Sequence, residues 1–61
     1  AHAAALYHLG ITQAKLRRFA DAIDAWERAV QVDPSGPWAQ QARSQARSAR
    51  DLRHIFTPQA G

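Results

Sequence analysis

Leu6-x-x-Leu9-Gly10, then Ala22-x-x-x-Trp26-x-x-Ala29, then Pro34, is the stretch that decides the fold of this 61-residue chain. Leu6, Leu9 and Gln13 stand three and four residues apart, so they share one face of a helix, with Gly10 beside them. Ala22, Ile23, Trp26, Ala29, Val30 and Asp33 follow the same period further on. A glycine inside a helix costs about 1 kcal/mol against alanine. Close approach of a second helix gives Gly10 its reason, because a missing Cβ lets two backbones come together.

The spacing therefore predicts a hairpin. A first helix runs over about residues 3–16, Arg17-Arg18-Phe19 forms the turn, and a second helix runs over about residues 20–32. Lys15, Arg17 and Arg18 fall where the first helix leaves its carbonyls unpaired, and cations favour that negative end. Asp21 in the first turn of the second helix suits its positive end. Asp24 and Arg28 form an i,i+4 pair on the outer face. Pro34 and Gly36 stop the helix.

Pro37 fits the first position of a third helix, with Ser35 or Gly36 as its cap. This helix is expected over about residues 37–54, ending before Thr57-Pro58. Trp38, Ala42, Gln45, Ala46, Ala49, Leu52 and Phe56 form one stripe, and Arg43, Arg47, Arg50 and His54 lie on the opposite side.

Charge separates the two halves. Up to Pro34, Lys15, Arg17, Arg18 and Arg28 are balanced by Asp21, Asp24, Glu27 and Asp33. Beyond it, Arg43, Arg47, Arg50 and Arg53 face only Asp51, so the net charge of +3 belongs to the third helix. With no cysteine, neither a disulfide framework nor a thiolate zinc site supplements a core this small. The chain starts at Ala1 without an initiator Met and is expected to be a piece of something longer. No signal or transmembrane segment is legible in this piece, and localisation stays unknown.

The spaced set resembles the tetratricopeptide repeat (TPR), a helix–turn–helix unit of about 34 residues with large apolar, Leu-Gly, Ala-x-x-x-aromatic and Pro at these intervals. Tyr7 beside Leu6, Phe19 before Ala22 and Asp33 before Pro34 fit as well. Leu6, Leu9, Gly10, Ala22, Trp26, Ala29 and Pro34 are the signature core, while Gln13 stands where the pattern prefers Tyr. Setting the same period onto the third helix puts Gln40, Arg43 and Ser44 where large apolar, Leu and Gly belong. The third helix is thus no second copy. It resembles the polar-backed helix that closes a repeat array.

The resemblance implies an all-α fold: an antiparallel TPR helix-turn-helix hairpin at 1–36, a third amphipathic capping helix at 37–56, and a tail at 57–61. The whole would be a fragment of an alpha-alpha superhelix. It also implies a non-catalytic protein–protein interaction or scaffolding module, the C-terminal end of a TPR array or a self-associating unit. No cofactor is implied, and the partner is a protein or peptide of unknown identity. Stacking normally takes about three repeats, so self-association or further repeats are expected through an exposed apolar face around Tyr7 and Ile11. In the family the peptide groove is lined by the first helix, which places Ala4, Tyr7, His8, Ile11, Ala14 and Lys15 in it. His8, Ala4, Tyr7 and Ile11 match poorly with a carboxylate clamp and suit an extended or helical peptide better.

Other chemistry finds little footing. His2 and His8 are six residues apart and off a common helical face, His54 is on another helix, and no metal-ligand spacing occurs. Asp21, Asp24 and Glu27 have arginines near them, and no nucleophile–base set can be assembled. Trp26 is expected in the core, and Trp38 on the second helix. The rival function is a basic helical domain that binds nucleic acid or an acidic partner through Arg43, Arg47 and Arg50. Nucleic acid is the less favoured of these, because no aromatic residue interleaves that face.

Overall fold

The computed structural model describes residues 2–56. They form three helices, α1 (His2–Lys15), α2 (Phe19–Val32) and α3 (Pro37–Phe56), and no strand occurs among the described residues. The fold is all-α, a helical hairpin followed by a third helix. The middle helix α2 packs against both others, whereas α1 and α3 meet only lightly. The tail at 57–61, and the side chains of His54 and Phe56, lie outside the described residues.

The first turn is built from backbone. Arg17 N–H donates to the Ala14 carbonyl at 3.0 Å and Arg18 N–H to the Gln13 carbonyl at 2.9 Å. These paired bonds close the end of α1 as a Schellman motif, which requires a left-handed residue between them. Arg17 takes that conformation, with φ of 64°. Two boundaries differ from expectation here. Leu16 lies in the turn and not in α1, and Phe19 opens α2 instead of sitting in the turn. The reason is that the left-handed Arg17 reverses the chain within one residue. Arg18 then serves as N-cap, its carbonyl accepting from Ala22 N–H at 3.0 Å. Arg18 also turns its guanidinium forward, pairing with Asp21 at 3.1 Å.

The second turn is one residue longer. Asp33 N–H donates to the Ala29 carbonyl at 3.3 Å, and Gly36 N–H to the Asp33 carbonyl at 3.2 Å. Pro37 begins α3, where its missing N–H leaves no bond unmade.

The core is one large ring set among small residues. Trp26, only 1% exposed, is surrounded by Ala22, Ile23, Ala29, Ala42, Ala46 and Ala49, with Leu6, Tyr7, Ile11, Ala14, Phe19 and Val30 packed around them. Its indole N–H donates to the Tyr7 carbonyl at 3.0 Å, satisfying the one polar atom the ring takes inside. On α3 the buried positions are Ala39, Ala42, Ala46 and Ala49. That stripe is rotated from the expected one: Ala39 joins it, Gln45 is half-buried and Leu52 is exposed. Alanine wins because α3 approaches α2 closely, and a larger side chain would hold the two helices apart. The back of α3, with Gln40, Gln41, Ser44 and Ser48, is exposed and polar.

Candidate functional site

Three surfaces remain after the core is accounted for. The first joins α1 to the start of α3. The rings of Tyr7 and Trp38 lie 5.1 Å apart between centroids, and His8 stands 5.5 Å from each, edge-on to both. Edge-on and tilted contacts at such spacing favour the ring quadrupoles. Trp38 therefore meets Tyr7 and His8 of α1, where contact with α2 was expected. It is half-buried, and so is Tyr7, while His8 is exposed. Ala4 and Ile11 are half-buried and Lys15 is exposed, on the same side of α1 by helical period. Tyr7 and Ile11 pack against the core. The apolar face expected around them is consequently covered in part, because α3 lies beside it. Sequence spacing gave no signal for this contact, because the period of a single helix does not say which neighbour a residue meets.

The second surface is the cleft between α2 and α3, about 650 Å³, with Trp26, Val30, Ala42 and Ala46 along it and Glu27, Gln31, Arg43, Arg47, Arg50 and Asp51 around it. The three arginines thus flank this cleft instead of lying opposite the buried stripe. Arg50 bridges to Glu27 across it. Arg43 and Arg47 are exposed and make no ion pair among the described residues.

The third surface is the side of the hairpin away from α3. Leu6, Leu9, Gln13, Asp21, Asp24, Ala25 and Arg28 line a shallow hollow of about 160 Å³. Leu9 is 47% exposed, and Gln13 Oε1 is buried with no hydrogen-bond partner among the described residues. Of the signature residues, Gly10, Ala22, Trp26 and Ala29 are buried and Leu6 packs on the core, but Leu9 and Pro34 are exposed. Leu9 faces a side that no element among the described residues covers. Pro34 stops α2 through its fixed φ, which needs no burial.

Three of the five acidic residues are engaged with arginine. Asp21 pairs with Arg18, Asp24 with Arg28 at 3.2 Å, and Glu27 with Arg50, all at least half exposed. Among the described residues no three His, Asp, Glu or Cys side chains gather as metal ligands. None of the described helices is long and apolar enough to cross a membrane.

A two-helix hairpin closed on a buried tryptophan and followed by a third packed helix is the kind of unit from which helical-repeat proteins are built. A family model described as tetratricopeptide repeat matches residues 3–35, more than half of the chain, and the chain belongs to that family. Comparison with curated proteins and with solved structures gave no match. TPR repeats generally mediate protein–protein interaction and are typically non-catalytic.

Proposed function

We propose that this chain is a non-catalytic interaction module that takes a peptide of a partner protein on the α1–α3 face, as the C-terminal end of a TPR array. The observation that carries this is the Tyr7–His8–Trp38 cluster, in which aromatic rings from two helices share one surface. Large, rigid rings give contact area at low entropic cost, which is why Tyr and Trp dominate binding hot spots. Ala4 and Ile11 extend the surface along α1, and Lys15 ends it with a cation. The occupant is an extended or helical peptide with an apolar side chain for the rings. Titrating labelled chain with a peptide library and mapping amide shifts tests this directly. Shifts centred on Tyr7, His8 and Trp38, lost in Tyr7→Ala, support the assignment; shifts indifferent to that substitution refute it.

A second interface is favoured by Leu9, a large apolar side chain left 47% exposed on the far side of the hairpin. Another repeat, upstream in the parent or on a second copy, would supply its apolar cover. Stacking of this kind is how repeats complete a core. For the 61-residue chain alone the expected outcome is self-association through Leu6 and Leu9. Sedimentation showing a clean monomer at high concentration would remove the self-association reading.

A further inference from the structure

The cleft between α2 and α3 combines two features that surface charge rows lack: an apolar lining and cations with nothing to pair. Half-buried Val30 lines it, with the buried Ala42, Ala46 and Trp26 beneath. Arg43 and Arg47 stand on its α3 side, one helical turn apart, and neither has an ion pair among the described residues. At one end the Arg50–Glu27 bridge joins the two helices, neutralising a third cation and a carboxylate together. We infer that this cleft is a second docking site, distinct from the α1–α3 face, for an acidic segment of a partner protein whose carboxylates engage Arg43 and Arg47.

Charge complementarity selects the occupant. A guanidinium fork matches a carboxylate bidentately. Arg43 and Arg47 are four residues apart and thus about 6 Å apart along the helix axis. Alternate residues of an extended strand repeat at about 6.7 Å, so carboxylates at positions i and i+2 fit the pair. The residue between them then points the other way, towards α2, where Val30 offers an apolar surface. An acidic–apolar alternating segment satisfies both walls. Nucleic acid fits less well. Two unpaired cations among the described residues are few for a phosphate backbone, and the apolar lining gives it nothing to contact.

The test uses the 61-residue chain and three probes: a short peptide alternating glutamate and leucine, the same peptide with glutamine for glutamate, and a random DNA duplex. Binding is followed by fluorescence anisotropy and by amide shifts. The acidic peptide is expected to bind, shifting amides of Ala42–Arg50 and the Trp26 indole. R43Q and R47Q should weaken it roughly fivefold each and roughly twentyfold together. Both positions are exposed, so helicity by circular dichroism should be unchanged in the variants. H8A and K15Q, on the other face, should leave this binding as it is, which separates failure of one site from failure of the other. The inference is overturned if the acidic peptide does not bind, if the glutamine peptide binds equally, or if R43Q/R47Q has no effect. It is equally overturned if the duplex alone binds through these arginines with a steep salt dependence.

Discussion

The indole of Trp26 occupies the space in which a side chain on Gly10 would stand. A Cβ built there would lie 2.6 Å from both Cδ1 and Cε2 of the ring, inside any real contact distance. Trp26 in turn is fixed by its neighbours and by the bond from its N–H to the Tyr7 carbonyl, so it has no free space to yield. The glycine and the tryptophan are one packing unit divided between two helices.

Gly10→Ala therefore pits helix propensity against overlap. Propensity alone would stabilise α1 by about 1 kcal/mol. Overpacking a filled core costs typically about 1–3 kcal/mol, and here the obstacle is a buried ring. Net destabilisation is expected, larger for Gly10→Leu. Urea titration followed by circular dichroism measures it, and an unchanged or raised midpoint contradicts the close-approach account.

Trp26→Phe keeps an aromatic ring but removes the donor to the Tyr7 carbonyl and part of the volume. A loss of about 1–2 kcal/mol is expected. Trp26→Ala removes about 3–5 kcal/mol, which is as much as a core of this size supplies in total. The alanine variant should be unfolded at room temperature by far-ultraviolet circular dichroism.

Arg17→Gly should raise stability. An L-residue held left-handed costs about 1–2 kcal/mol, and glycine escapes that cost while giving up more conformational entropy on folding. A net gain of about 0.5–1 kcal/mol is expected from the thermal midpoint. A loss would mean that the Arg17 side chain contributes more than its backbone costs.

Tyr7 and Trp38 should be energetically coupled. A double-mutant cycle through Tyr7→Leu and Trp38→Leu is expected to give about 0.5–1.5 kcal/mol of interaction. Additive effects would mean that the two rings are merely adjacent.

Gln13→Leu replaces a buried acceptor without a partner by an apolar side chain of similar size. Relief of that unmade bond is expected to add about 1 kcal/mol or more to the unfolding free energy of the isolated chain. If Gln13 instead serves an interface, the same variant should self-associate differently by sedimentation, even as its monomer gains stability.

The hairpin was legible because it rests on short-range facts. Leu6, Gly10, Ala22, Trp26 and Ala29 recur at helical spacing, Pro34 breaks the second helix, and Pro37 can only begin the third. These constraints act within one turn of chain, so spacing reveals them. The polar back of α3 was legible for the same reason, since Gln40, Arg43 and Ser44 cannot cover an apolar neighbour.

Which residues meet across helices was decided by tertiary packing. The depth of rotation of α3 on α2 depends on how closely their alanines approach, and this brought Ala39 inward and left Leu52 outside. The same rotation set Trp38 against Tyr7 and His8 and turned Arg43 and Arg47 to the edge of a cleft. A difference of one position in a helix rotates a side chain by about 100°, and periodicity alone does not resolve which of two adjacent stripes is the deeper. The sequence by itself determined the building block and, to within a residue or two, where its helices start and stop. Tertiary structure alone decided which faces were left uncovered, because that depends on interhelical contact and not on the period of any single helix.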